Sequence, residues 1–99
     1  MSDLPPISPT QRVRAVVIGR VQGVGYRYWV VKHAQALRLS GWVRNRDDGN
    51  VELEAEGPRP LLDTFLELLQ RGPTNSHVVR IVPFFTPAEG GFSGFEIRH

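Results

Sequence analysis

Cysteine is missing from all 99 residues. Disulfides, thiolate metal sites and cysteine nucleophiles are thereby excluded, and the absence is compatible with a reducing compartment. Histidine is scarce. His33, His77 and His99 lack the close spacing of metal ligands, so no metal and no other cofactor is expected. No apolar run reaches the roughly 18 residues that a bilayer-spanning helix needs, and no membrane association is expected. An excess of one charge is lacking too. Twelve basic residues against 10 acidic ones give +2, too mild a balance to call for nucleic acid. Lysine is almost absent: of the 12 basic residues, only Lys32 is not arginine. Arginine suits two-pronged binding of oxyanions, although most arginines sit at the surface for no such reason.

Met1 to Thr10 carries Pro5, Pro6, Pro9 and Asp3. It has neither a basic n-region nor an apolar h-region, so it does not read as a signal peptide. A flexible tail over residues 1–10 is expected, followed by one domain over 11–99. A cytoplasmic location follows by default.

What remains is ordinary in composition, with 40% hydrophobic and 22% charged residues. A chain of this length holds one core between two layers of structure. From about Arg12 to Ile18, Val13, Val16, Val17 and Ile18 suit a buried strand. Gly19 to Gly25 is a loop with three glycines in seven positions. Tyr26, Trp29, Val30, His33, Ala34 and Leu37 then fall on one face of a helix that ends before Gly41.

Trp42 and Val43 begin a second strand, and Asp47-Asp48-Gly49-Asn50 predicts a tight turn. After it, Val51, Leu53 and Ala55 alternate with Glu52, Glu54 and Glu56. One side of this third strand should be buried and the glutamate side solvated. Gly57-Pro58 is expected to open a second helix striped by Leu61, Leu62, Phe65, Leu68 and Leu69, with Gly72-Pro73 as its stop. Val78 to Phe84 is a fourth strand, with Pro83 suggesting an edge. Phe95 and Ile97 mark a short last one. The order β-α-β-β-α-β predicts an α+β, ferredoxin-like sandwich, with two helices on one face of an antiparallel sheet and a short extra terminal strand.

The informative segment is Gly19-Arg20-Val21-Gln22-Gly23-Val24-Gly25-Tyr26-Arg27, between a strand and a helix. Glycines allow the backbone to turn successive N–H groups inward, and such a concavity binds anions. The helix start adds unpaired N–H groups and the positive end of its dipole. Arg27 at that end is unfavourable by about 0.3–1 kcal/mol. A phosphate held between the loop and the guanidinium would reverse that sign. A glycine turn made only for packing, with Arg27 solvated, fits the loop's composition equally well. The loop is neither a Walker A motif, since no Gly-Lys-Ser/Thr follows, nor a dinucleotide fingerprint, since Tyr28 stands where the third glycine belongs.

The run Gly19 to Arg27 closely resembles the signature loop of the acylphosphatase family. Gly41-Trp42-Val43-Arg44-Asn45, followed by a turn glycine and Val51-Glu52, resembles that family's second signature. The resemblance extends from about Arg12 to Arg98. Tyr26 departs from the more usual phenylalanine and adds a hydroxyl that needs a partner if buried.

The resemblance implies the same ferredoxin-like fold and a hydrolase that splits small acyl phosphates into carboxylate and phosphate. It implies that Arg27 binds the phosphoryl oxygens together with main-chain N–H groups of Val21, Gln22, Gly23, Val24, Gly25 and Tyr26, and that Asn45 holds the attacking water. Arg27 and Asn45 are thus the expected catalytic residues. Inorganic phosphate or sulfate is the expected site ligand, and a monomer suffices.

Other residues have simpler readings. His33 is a core or boundary histidine, and Trp29 and Trp42 are packing residues. His77 begins a strand, Asp47 and Asp48 belong to a turn, and Arg20 and Arg44 are surface arginines that add positive potential. The same element order builds the RNA-recognition motif, but a strand presenting Glu52, Glu54 and Glu56 would repel a phosphate backbone. The alternative is a noncatalytic or partner-dependent domain that binds an acyl or carbamoyl phosphate, since similar domains occur fused to larger hydrogenase-maturation proteins that use carbamoyl phosphate. A chain that stops after the domain favours a free-standing hydrolase.

Overall fold

A computed structural model describes residues 9–99. Residues 1–8, most of the expected tail, lie outside the described residues, and the first strand begins at Thr10. The elements in chain order are β1 (Thr10–Arg20), α1 (Tyr26–Ala36), β2 (Ser40–Asn45), β3 (Val51–Pro58), α2 (Arg59–Arg71), β4 (His77–Pro87) and β5 (Phe95–Ile97). They form one sheet in the order β4-β1-β3-β2-β5. The α+β, ferredoxin-like sandwich expected from the periodicity is what forms. The first four strands pair antiparallel, whereas β5 adds to β2 in parallel.

Alternation decides the two faces. Val13, Ala15 and Val17 of β1, Val43 of β2, and Val51, Leu53 and Ala55 of β3 are buried, and they pack with Val30 and Ala34 of α1 and with Leu62, Phe65 and Leu69 of α2. Both helices therefore cover the same side. α2 opens later than expected. Gly57 and Pro58 still pair with β1, and Pro58, in an extended conformation, is the residue just before the helix. Pro60 is the proline tolerated in the first turn. Gly72 ends α2, its N–H donating to the Leu68 carbonyl. β4 is an edge strand, where Pro83 disrupts no ladder on its open side.

The glutamate row of β3 departs from expectation. It is not a solvated side: Glu52 is 2% and Glu56 6% exposed. β3 is flanked by β2 and β1, and both present arginines beside it. Glu52 accepts from Arg44 Nε at 2.7 Å and lies 3.5 Å from Arg14 Nη2 and 3.9 Å from Arg46 Nη1. Glu56 accepts from Arg12 Nε at 2.7 Å, and from the N–H groups of Glu89 at 2.8 Å and Gly90 at 3.1 Å. Period 2 puts these carboxylates on the face without helices, but long guanidinium side chains and the 88–94 loop cover them. Buried carboxylates are tolerable only when paired in this way.

Glu56 thus ties the 88–94 loop to the sheet. Burial pushes its carboxyl up, but the N–H groups of Glu89 and Gly90 and the Arg12 guanidinium outweigh it, and the net shift is downward from 4.5. A depressed carboxyl contributes stability above its unfolded value and loses it as pH falls through the folded one. Glu56→Gln is therefore expected to cost about 1.5–3 kcal/mol near neutral pH. The gap to the parent should narrow as pH falls below 4.5. Urea melts across that range check both the cost and its disappearance.

Candidate active site

The β1–α1 connection is shaped by backbone conformation. Gly23 and Gly25 have φ of 74° and 81°, and a Cβ at either would meet nothing within 4 Å. Glycine is required there for the left-handed turn, not for room. Gly25 is the N-cap of α1 and offers no side-chain cap, and no acid stands in the first turn. Among the described residues, the orphan N–H groups at this helix end thus have no side-chain acceptor. Among the described residues, none of the main-chain N–H groups of Gln22 to Gly25 donates to a protein acceptor. A concavity of free donors at the positive end of a helix is a site for an oxyanion.

Tyr26 anchors this helix start. Its ring is fully buried, and its hydroxyl donates to the Leu69 carbonyl of α2 at 2.7 Å. The hydroxyl foreseen from the sequence thus has its partner, and burial holds the phenol well above its ordinary range, hence neutral. Trp29 adds a second tie, Nε1 donating to the Leu68 carbonyl at 3.0 Å. His33 is half-buried against Trp29, with ring centroids 4.4 Å apart. Burial, aided by Lys32, lowers its pKa.

Arg27 follows Tyr26 in the first turn of α1. Among the described residues it makes no ion pair and no side-chain hydrogen bond, unlike Arg12, Arg14, Arg44, Arg46, Arg59 and Arg98, which all engage carboxylates. Arg44 is thus held by Glu52, while Arg20 is exposed at the end of β1. A guanidinium without an internal counter-ion, beside unpaired N–H groups, leaves the local potential positive.

Asn45 comes from a different element, the end of β2. Val43 is in the core, so two residues on Asn45 points to the same helix-covered side, at the last position of β2. Its Oδ1 is buried and, among the described residues, has no hydrogen-bond partner. Native structures rarely leave such an atom unsatisfied without a reason.

These groups share one cavity of about 180 Å³, lined by Val21, Gly23, Gly25, Tyr26, Arg27, Tyr28 and Asn45. Seven of the eight residues singled out from the sequence belong to the loop and helix start, and of those Val21, Gly23, Gly25, Tyr26 and Arg27 line the cavity together with Asn45. Gln22 and Val24 do not. Val24 packs partly against the core, and the Gln22 side chain turns to the β2–β3 turn, where Nε2 donates to the Arg46 carbonyl at 2.7 Å and the Asn50 carbonyl at 2.8 Å. Tyr28, 73% exposed at the cavity wall, was not foreseen. In the sequence its only signal was negative, as the residue spoiling a dinucleotide fingerprint.

Among the described residues, no three His, Asp or Glu side chains gather where a metal could be held, and no helix is long and apolar enough to cross a membrane.

Residues 13–97 match the acylphosphatase family. The chain belongs to that family. An acylphosphatase of Syntrophotalea carbinolica is 47% identical over 87 residues, covering 88% of this chain and 95% of its own length. The crystal structure of acylphosphatase from Bacillus subtilis superposes with a TM-score of 0.87 at 43% identity, covering 90% of this chain and 99% of that one. An acylphosphatase structure from Coxiella burnetii gives 0.85 at 36% identity, covering 91% and 94%. The two signatures read from the sequence thus point to the family that residues 13–97 match. As an acylphosphatase the chain is a hydrolase, and the cavity joining the first signature to the second is its candidate active site.

Proposed function

We propose that this acylphosphatase hydrolyses the carboxyl-phosphate bond of small acyl phosphates in the cavity between the β1–α1 loop and the end of β2. The observation that carries the reading is the meeting there of an uncommitted guanidinium, unpaired main-chain donors and an unsatisfied amide oxygen.

The phosphoryl group rests on the N–H groups of the loop and on Arg27. These donors suit the spread negative charge of the equatorial oxygens in the transition state. Asn45 Oδ1 accepts a hydrogen from a water and so aims its lone pair at phosphorus. The water oxygen bonds to phosphorus as the bond to the carboxyl oxygen breaks. The carboxylate departs with that electron pair, and the water's proton passes to a phosphate oxygen. The products are a carboxylate and inorganic phosphate. No side chain in the cavity need titrate, because acyl phosphate has a good leaving group and its own phosphate accepts the proton. Preorganised position and charge carry the rate.

Residues 11–99 act as one catalytic domain in this reading, and a single chain holds every group the reaction uses. Inorganic phosphate and sulfate, which share the substrate's oxyanion, compete for the cradle.

Among the described residues, the cavity offers guanidinium, amide and N–H groups to its ligand and no carboxylate or imidazole. Release of phosphate from acetyl phosphate or benzoyl phosphate is therefore expected to persist undiminished in excess EDTA, with inorganic phosphate as a competitive inhibitor. Absence of hydrolysis, or its abolition by the chelator, contradicts the proposal.

A further inference from the structure

Arg27 and Asn45 stand on different elements, α1 and β2, and no hydrogen bond joins their side chains. Their separation must be set by something else, because in-line attack tolerates little error: a 1 Å displacement can cost about 100-fold in rate. The residue that spans the gap is Gln22. Both hydrogens of its amide nitrogen are used, one on the Arg46 carbonyl at 2.7 Å and one on the Asn50 carbonyl at 2.8 Å.

These two carbonyls are the two sides of the β2–β3 turn. Arg46 directly follows Asn45, and its own N–H closes the turn onto the Asn50 carbonyl at 2.8 Å. Asn50 returns the contact at the start of the loop, its Oδ1 accepting from the Gly19 N–H at 3.4 Å. The cradle and the water-holding strand are thus clamped from Gly19 and from Gln22 onto one short turn. The Gln22 side chain leaves the cavity to do this and does not line it.

We propose that Gln22 is a positioning residue for the hydrolysis, its side-chain amide fixing the distance and angle between the phosphate cradle and Asn45. The proposal rests on Asn45 holding the attacking water. Gln22 acts through Asn45: its loss lets the hairpin drift and misaims the water, while Arg27 and the loop N–H groups still bind phosphate.

The test is a double-mutant cycle. Gln22→Met keeps length and bulk and removes the donors, and Gln22→Ala serves as the second variant. Each is made in the parent and in Asn45→Ala, and kcat, KM for benzoyl phosphate, inhibition by inorganic phosphate and the thermal midpoint are measured. In the parent, kcat is expected to fall about 10- to 100-fold, with phosphate inhibition unchanged within about twofold. In Asn45→Ala the same substitutions should cost less than about twofold more, since residues acting as a unit are not additive.

Equal losses in both backgrounds overturn the proposal, as does a parallel loss of phosphate affinity, full turnover of Gln22→Met in the parent, or failure of both variants to fold. Full turnover of Asn45→Ala by itself overturns the water-holding reading and the proposal with it. A normal Asn45 effect with additive Gln22 losses overturns only the proposal.

Discussion

Arg27→Ala is expected to lower kcat/KM for benzoyl phosphate by about 10²- to 10³-fold, the usual consequence of removing one preorganised donor worth about 2.7–4 kcal/mol in the transition state. Inhibition by inorganic phosphate should weaken with it, because the same guanidinium meets the same oxygens in substrate, product and transition state. The fold should survive. Arg27 makes no ion pair among the described residues, so its removal strands no buried partner. It also stands at the positive end of α1, where a cation is mildly unfavourable by about 0.3–1 kcal/mol. A small rise in thermal midpoint alongside the collapse of activity is the signature sought. Arg27→Lys should recover only part of the rate, since an ammonium restores the charge without the two-pronged fork. Retention of parental kcat/KM in the alanine variant is the outcome that removes Arg27 from the site.

Asn45→Ala separates the two halves of the mechanism. The amide oxygen lies in the cavity wall and is not part of the cradle, so phosphate inhibition should remain near the parental value. Turnover should fall by a comparable 10²- to 10³-fold, if a single water-orienting group is worth about what an oxyanion donor is. The effect belongs in kcat, with KM little changed, because the water is aimed only when the phosphoryl group is already bound. Removing a buried acceptor that has no partner among the described residues strands no donor there, so stability should change by less than about 1 kcal/mol. Asn45→Asp is the sharper probe. It keeps an acceptor oxygen but sets a negative charge beside the incoming phosphate, and should bind phosphate more weakly than the alanine variant does. Equal turnover of parent and Asn45→Ala shows that the water is held elsewhere.

Both predictions depend on the low cost of keeping the site open. Gly23 and Gly25 supply left-handed backbone without steric conflict, and Tyr26 and Trp29 tie the start of α1 to α2 through the Leu69 and Leu68 carbonyls. The helix start is therefore held by packing and hydrogen bonds remote from the cavity. Its N–H groups are free for a ligand because no side chain among the described residues caps them.

The elements themselves were written locally. A period of 2 in Val51 to Glu56, a helical period from Tyr26 to Leu37, and glycine at the β1–α1 loop are properties of neighbouring residues, and backbone sterics act over the same short range. The element order, the helix-covered face and the loop therefore followed from sequence, and so did the family, through two signatures carried in order. Ends were less legible. Pro58 reads as a helix opener until the pairing of Pro58 with Thr10 shows the strand running on to it.

Other features came only from the assembled sheet. Glu52 and Glu56 alternate like solvent-facing residues, and nothing near them in the chain announces Arg12, Arg14 and the 88–94 loop, which the sheet order brings over them. Gln22 reads as one more residue of a glycine loop until the hairpin carrying Arg46 and Asn50 is folded beside it. Likewise, the sequence names Arg27 and Asn45, but their sharing of one cavity is a fact of tertiary structure. Secondary structure and its faces depend on near neighbours and are fixed by them. Which charge covers which, and which donor finds which carbonyl, depends on segments dozens of residues apart, and only strand pairing and packing bring those within reach.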